Sequence, residues 1–454
     1  MKALPLSGIL AICFVPAAAV VALPDTFEIA KLVPNDGEEG DDFGSSASLW
    51  GNFAIVGAPQ KSEGGTYVGA AYLFRRDEGR ADSWQQVRKF TSPDGQTDDR
   101  FGWSVSLLGD LALVGAHRAD AAYLYGRNHG GPDNWGLVKT IRPAEVVGAD
   151  DHFGISVSLA GDLAIVGASG DDDRGFDAGA AYLFRRDEGG PENWGQVAKF
   201  LAADASTGDY LGYSVSLSGD YAVVGARGDD NLRGAAYVFG RNVGGPENWG
   251  QAKKLTSPNR SSLDGFGRSV SSAGDLILVG SHNDDTVGQF GGAAYLYDRN
   301  RVRPDSWGLS AQLTAADGGE FNNFGWSTFI TNELAMVGAI GFSESDDDAD
   351  LRSGAVYLFK PDEFDGKWIQ TNKLIASDGA RFGNLGLSAS YNDGIAIFGA
   401  NSNAINPSGA VYIYDLTAAV PEPTAILTAT ISLLCSASVR CFASNGTGIL
   451  HCMR

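Results

Sequence analysis

Four carboxylate clusters are the residues best placed by type and spacing to do chemistry: Asp171-Asp172-Asp173, Asp229-Asp230, Asp284-Asp285 and Asp346-Asp347-Asp348. Grouped carboxylates suit a hard cation, a basic partner or, as an isolated pair, cleavage of a glycosidic bond. No fixed ligand spacing accompanies them, and nothing selects one pair above the rest. The histidines His117, His129, His152 and His282 have no metal-ligand spacing either. No His-x-x-x-His pair, Cys-His pairing or G-x-S-x-G elbow occurs. The four cysteines, Cys13, Cys435, Cys441 and Cys452, all lie near the ends. The long middle therefore needs no disulfide and offers no thiolate for catalysis or metal binding.

Charge narrows the partners. The chain carries 55 acidic and 34 basic residues, a formal net charge of −21. Such a surface repels nucleic acid and anionic lipid, and it is compatible with divalent cations, basic proteins or neutral glycans. Its 61 glycines follow no collagen period and suit many tight turns between short strands.

The ends read as addresses. In residues 1–22, Lys2 precedes an apolar run from Leu4 to Val15, and small residues suited to cleavage follow. This is the pattern of a signal peptide, so export is expected. Near the other end, Val420-Pro421-Glu422-Pro423 leads into sixteen apolar or small residues, Thr424 to Val439, and then Arg440. That run is short of the ~20 residues a comfortable membrane span needs. The segment 417–440 resembles a PEP-CTERM sorting signal of Gram-negative bacteria, with Pro421, Glu422, Pro423 and Arg440 as its defining residues. The resemblance implies processing by an exosortase-type membrane protease. Residues 441–454 form a tail, and the membrane is expected to be met only through these terminal signals.

Between residues 27 and 416 one phrase recurs at a period of 52–58 residues. Clear copies begin at Phe101 (FGWSVSLLGDLALVGA), Phe153, Leu211 and Phe266, and looser ones at Phe43, Phe324 and Phe382. Each continues to an AAYLF-like run marked by Tyr72, Tyr123, Tyr182, Tyr237, Tyr295, Tyr357 or Tyr412. Six copies go on to Trp84, Trp135, Trp194, Trp249, Trp307 or Trp368 and an apolar-basic run. Each copy resolves into four strands. Strand A is SVSL-like, a Gly-Asp turn leads to strand B (AIVGA), strand C is AAYLF, and strand D is QVAKF-like. A period of this length with strand content predicts an all-β, seven-bladed propeller of four-stranded antiparallel blades. The seventh copy stops after its third strand, while an orphan D-like strand, Phe27 to Leu32, precedes the first. The N-terminal strand should therefore complete the last blade and close the ring, removing exposed sheet edges.

The phrase resembles the FG-GAP repeat of integrin α chains, and the resemblance spans the whole body. In the integrin type the A–B hairpin carries an Asp-rich calcium loop. Here that hairpin is a Gly-Asp turn, or Asn332-Glu333 or Asn392-Asp393-Gly394. The calcium sites implied by the family are therefore not carried over. No cofactor is assigned, and calcium stays open despite the missing ligand loops. Arg227-Gly228-Asp229 spells an integrin-recognition tripeptide, but Gly-Asp also occurs at the equivalent Gly170-Asp171, so the match reads as incidental.

Recurrent Phe-Gly, Gly-Ala, Tyr and Trp residues serve every blade and read as packing, whereas an active site is usually asymmetric. Candidate binding residues therefore lie in loops. The D–A and B–C loops are acidic and should open on one face. The C–D loops carry Arg75-Arg76, Arg127, Arg185-Arg186, Arg241, Arg299 and Arg301 and should open on the other, making the molecule electrically polar. His117 and His282 share the position just after strand B, where Pro59, Ser169, Arg227, Ile340 and Asn401 also occur. That position reads as a variable loop start. The expected function is a monomeric, non-enzymatic binding or structural module that meets an extracellular protein or polysaccharide at the cell surface or in the matrix. A lectin-like propeller, or a propeller lyase or hydrolase, are the alternatives.

Overall fold

Strands B and C are continuous apolar runs such as LAIVGA and AAYLFR, and a strand of that kind must be covered on both faces. In the computed structural model of the chain they are. Seven four-stranded antiparallel sheets stand around a ring, and strand B of blade one, Phe53–Ala58, is buried at every position. The structure describes residues 28–93, 95–145, 150–259, 261–343, 352–379, 383–400 and 407–417. The signal at 1–22, the sorting residues Pro421, Glu422, Pro423 and Arg440, all four cysteines and Asp346-Asp347-Asp348 lie outside them. No helix among the described residues is long and apolar enough to cross a membrane.

Blade four shows the plan, with strands Leu211–Ser218, Tyr221–Ala226, Ala235–Gly240 and Gly250–Leu255 in that spatial order. Inner A strands of neighbouring blades face one another, and the D strands, half exposed, lie outermost. The A–B turn is tight: Ala160 pairs with Leu163 across Gly161-Asp162 in blade three. Gly161 sits at φ +60°, where a side chain is strained.

The repeated phrase is an inter-blade latch. Gly167 in strand B of blade three faces the Phe-Gly-type glycine of blade four, and a Cβ on Gly167 would lie 1.9 Å from the Gly212 carbonyl oxygen. The Ser156 hydroxyl donates to that same carbonyl at 2.7 Å. The bond repeats at every junction, from Ser46 to Gly102 through to Ser388 to Gly44, which joins blade seven to blade one. The second serine of the SVS phrase accepts a backbone N–H from the next blade, as Ser106 does from Leu159 at 3.0 Å. The phrase phenylalanines are fully buried, and their rings meet the strand C tyrosines, with Phe153 and Tyr182 centred 5.5 Å apart.

The ring closes as the orphan strand predicts. Glu28–Leu32 pairs antiparallel with Ala410–Asp415, with Lys31 opposite Tyr412 and Leu32 opposite Val411. Lys31 also pairs with Asp378 at 2.6 Å. One register expectation needs correction. The seventh copy is anchored by Leu385-Gly386, three residues beyond the expected start at Phe382, which lies outside the described residues. Leu385 is fully buried and bridges Gly354, and Gly386 accepts the latch bond from Ser327. A leucine fills the phenylalanine position here, as Leu211 does in blade four.

Candidate binding faces

The D–A and B–C loops do open on one face. The structure divides their acids into two groups that the sequence reading joined. The first carboxylate of each of the three described B–C clusters turns inward: Asp171 and Asp229 are 3% exposed and Asp284 is 0%. Each accepts the hydroxyl of its blade's strand C tyrosine. Tyr182 donates to Asp171 at 2.6 Å, Tyr237 to Asp229 at 2.8 Å, and Tyr295 to Asp284. A strand D lysine then supplies the counter-charge, Lys199 to Asp171 at 2.8 Å and Lys254 to Asp229 at 2.6 Å. In blades six and seven a D–A loop acid takes this place: Tyr357 and Lys373 share Asp317, and Tyr412 and Lys31 share Asp378. Burial and the adjoining carboxylate push Tyr182, Tyr237, Tyr295 and Tyr357 well above the ordinary phenol range. Asp171, Asp229 and Asp284 thus hold loops to blades and do not form an open acidic surface.

The next residues of these clusters, Asp172, Asp173, Asp230 and Asp285, remain exposed. Asp172 and Asp285 shape their own loops by accepting the backbone N–H of Asp177 at 2.7 Å and of Phe290 at 2.8 Å. Asp173 pairs with Lys199 at 2.7 Å, and Asp230 with Arg233 at 3.1 Å. No group of three or more His, Cys, Asp or Glu among the described residues is placed to hold a metal ion.

A second recurrent acid stands two residues before the Phe-Gly phrase: Asp41, Asp99, Asp151, Asp209 and Asp264, each less than a tenth exposed. Asp209 accepts the Ser206 N–H at 2.7 Å and Asp264 the Ser261 N–H at 2.8 Å, which pins the D–A loop. Burial, with the nearby charge of Asp229 or Asp284, raises both carboxyls to about 6. For all but Asp209, which precedes Leu-Gly, the signal in the sequence is the Asp-x-Phe-Gly spacing.

Blade four holds a cleft of about 610 Å³ on this face, lined by Asp204, Ser206, Thr207, Asp209, Asp230, Asn231 and Lys254 among others. One wall is a left-handed turn, with Asp230, Asn231 and Leu232 at φ 50°, 61° and 65°. The same turn disposes of the Arg-Gly-Asp tripeptide as a displayed motif. Asp229 is buried, Gly228 packs on the Gly208 carbonyl, and Arg227 lies on the Tyr213 and Tyr210 rings.

The opposite face corrects the expected polarity. The C–D arginines do gather there, but the A–B turn aspartates and the C–D loops' own acids share the face. Arg127 pairs with Asp110 and Asp133, Arg241 with Asp220 and Glu247, and Arg299 with Asp275 and Asp305. The face is one of mixed charge, because the short A–B turn brings a carboxylate to each of these arginines. Three of the six tryptophans near the start of strand D offer little for sugar stacking, since Trp135, Trp194 and Trp307 are at most 2% exposed, while Trp84, Trp249 and Trp368 are half-buried.

The FG-GAP repeat model matches this chain seven times, over residues 26–74, 84–131, 135–184, 194–239, 249–297, 307–359 and 368–414. The chain belongs to the FG-GAP repeat family. The seven matches follow the seven blades, although each matched unit begins at the D strand of the preceding sheet. In this FG-GAP propeller the shared phrase is the latch described above, a structural device. No curated protein matches the chain. Among solved structures, Sqt1 of Saccharomyces cerevisiae is similar at 12% identity and a TM-score of 0.48, covering 87% of this chain and 100% of that one.

The FG-GAP phrase also contains positions that differ from blade to blade, and these gather at the inner rim. They are the residue after Phe-Gly, such as Trp103, Tyr213, Arg268 and Trp326, and the residue after strand B, such as His117, Arg227 and His282. Trp103 stacks near His117 at 4.5 Å, and His117 meets His152 of the next blade at 5.5 Å. Read as variable loop starts, these positions form instead an asymmetric ring of side chains on a symmetric scaffold.

Proposed function

We propose that this FG-GAP propeller is an exported, non-enzymatic binding and structural module that engages an extracellular protein or polysaccharide through its D–A and B–C loop face. The supporting observation is the blade-four cleft, whose walls offer hydroxyls of Ser206 and Thr207, the amide of Asn231 and the carboxylates of Asp204 and Asp230. Such a lining hydrogen-bonds a polar ligand and favours a neutral or basic one. Export and sorting rest on the terminal sequences, with cleavage after residues 1–22 and recognition of the 417–440 segment.

Binding of the full chain to a glycan array and to cationic peptides tests the reading. Asp230→Asn with Asn231→Ala should weaken the ligand found at least tenfold and leave the melting temperature near that of the parent. Binding unchanged by the pair would remove the cleft from the function. The favoured form of the reading is a polysaccharide ligand, because Asp204 and Asp230 already pair with Lys254 and Arg233, which leaves the hydroxyls and the Asn231 amide to a neutral ligand. Turnover of any glycan by the protein, abolished by one carboxylate substitution, would replace this reading with a catalytic one. A calcium titration followed by melting checks the cofactor: no shift is expected.

A further inference from the structure

Arg227 and Arg268 converge on one aromatic ring. Among the described residues neither forms an ion pair, whereas Arg127, Arg241 and Arg299 each hold two carboxylates. Arg227 closes strand B of blade four, and Arg268 lies near the start of strand A of blade five. Both lie against the ring of Tyr213, with guanidinium carbons 4.2 and 5.1 Å from its centre. Arg268 also stacks on Trp326 of blade six at 3.8 Å and donates to the Tyr213 hydroxyl. His282, between them in the fold, meets Trp326 at 5.3 Å. The Nε of each arginine and the Nδ1 of His282 are buried without a hydrogen-bond partner.

We propose that Arg227 and Arg268 form an oxyanion-binding site at the inner rim between blades four and five, taking the carboxylate, sulfate or phosphate group of an acidic ligand. Two like charges side by side, with donors unused, disfavour the empty site, and an oxyanion supplies both the missing charge and the missing acceptors. The guanidinium fork is the group whose geometry matches an oxyanion through two parallel bonds. The aromatic rings hold each fork in place and leave its edge for the ligand. Burial and the two arginine charges draw the His282 pKa down to about 3, so its ring is neutral and its unused Nδ1 serves as a polar contact without adding charge. All five side chains are only half-buried, so the site opens to solvent. No other blade places an arginine at either position, as expected of a single site on a repeated frame. It differs from the blade-four cleft in charge and in residues, and neither depends on the other.

The test is calorimetric titration of the full chain with sulfate, inorganic phosphate and glucuronate at constant ionic strength, with chloride as background. Saturable binding of at least one of the three is expected. Arg268→Met and Arg227→Met should each weaken it at least tenfold, while Arg299→Met on the opposite face should not. Arg268→Lys keeps the charge without the fork and should bind with intermediate affinity, which covers the case in which Arg268→Met fails to fold. Preference for glucuronate would assign a carboxylate ligand, and preference for the tetrahedral ions a sulfated or phosphorylated one. Sulfate raises the melting temperature of many proteins by exclusion from their surface, so melting alone does not decide. No saturable binding by the parent, or equal binding by parent and both methionine variants, would reduce the arginines to stacked structural cations.

Discussion

A carboxylate in this propeller behaves according to its neighbours, and neighbouring residues in the sequence take opposite roles. Asp229 is buried under Tyr237 and Lys254, while Asp230 beside it faces solvent. Removing the lysine leaves a buried carboxylate with one charged partner fewer. Lys254→Met is expected to cost about 1–3 kcal/mol, the range for a deprived buried polar group, read by urea denaturation. Blade five has Gln312 at the lysine position, so its pair Asp264 and Asp284 lacks that counter-charge. Asp264 has a folded pKa of about 6, raised above its ordinary 3.8 by burial and then by Asp284. A raised carboxyl favours the folded state while protonated, and that contribution fades as pH climbs from near 4 through about 6. Asp264→Asn removes the titration. Its melting temperature relative to the parent should therefore rise between pH 4 and pH 7, and a flat difference would contradict the assignment.

At the scale of the element, the strands owe their form to what lies on both sides of them. Strand B reads LAIVGA because it is covered on each face, and its glycine exists for one contact. Gly167→Ala would place a Cβ against the Gly212 carbonyl, where backbone cannot yield easily. Overpacking of this kind costs about 1–3 kcal/mol, and the Gly-to-Ala change should lower the melting temperature by several degrees. Ser156→Ala removes the hydrogen bond to the same carbonyl and should cost less, about 1 kcal/mol. If the alanine at 167 proved as mild as that at 156, the latch would not be the reason for the repeated glycine. The four-strand plan of each blade, its Gly-Asp turn and its buried aromatic residues were legible from spacing alone. The seventh copy offers two starts three residues apart, because Phe382-Gly383 and Leu385-Gly386 both satisfy the phrase. Only packing against Gly338 and Gly354 selects the second.

For the whole molecule, closure is the controlling fact. Strand Glu28–Leu32 completes blade seven, and Glu28 accepts hydrogen bonds from Ser377 while Lys31 pairs with Asp378. Without this strand, Ala410–Asp415 would become an edge with unpaired backbone groups, and the blade would lose Leu32 from its core. A chain lacking residues 28–32 is expected to melt at least 5 °C lower and to aggregate on heating, as followed by light scattering. The charge of the molecule is likewise a collective property. Both faces combine acids with bases, so the net charge of −21 is spread around the ring, not concentrated at one end.

Fold, blade number and closure were written in the sequence because a repeat states the same local rule seven times, and a missing strand at one end matches a spare strand at the other. The fate of each charged side chain was not. Whether Asp229 or Asp230 points inward, and whether an arginine finds a carboxylate or an aromatic ring, depends on which loops the ring brings together from distant parts of the chain. Burial and Coulomb energy act through space, so only the assembled blades decided that Arg227 and Arg268 would meet over one tyrosine with no acid between them.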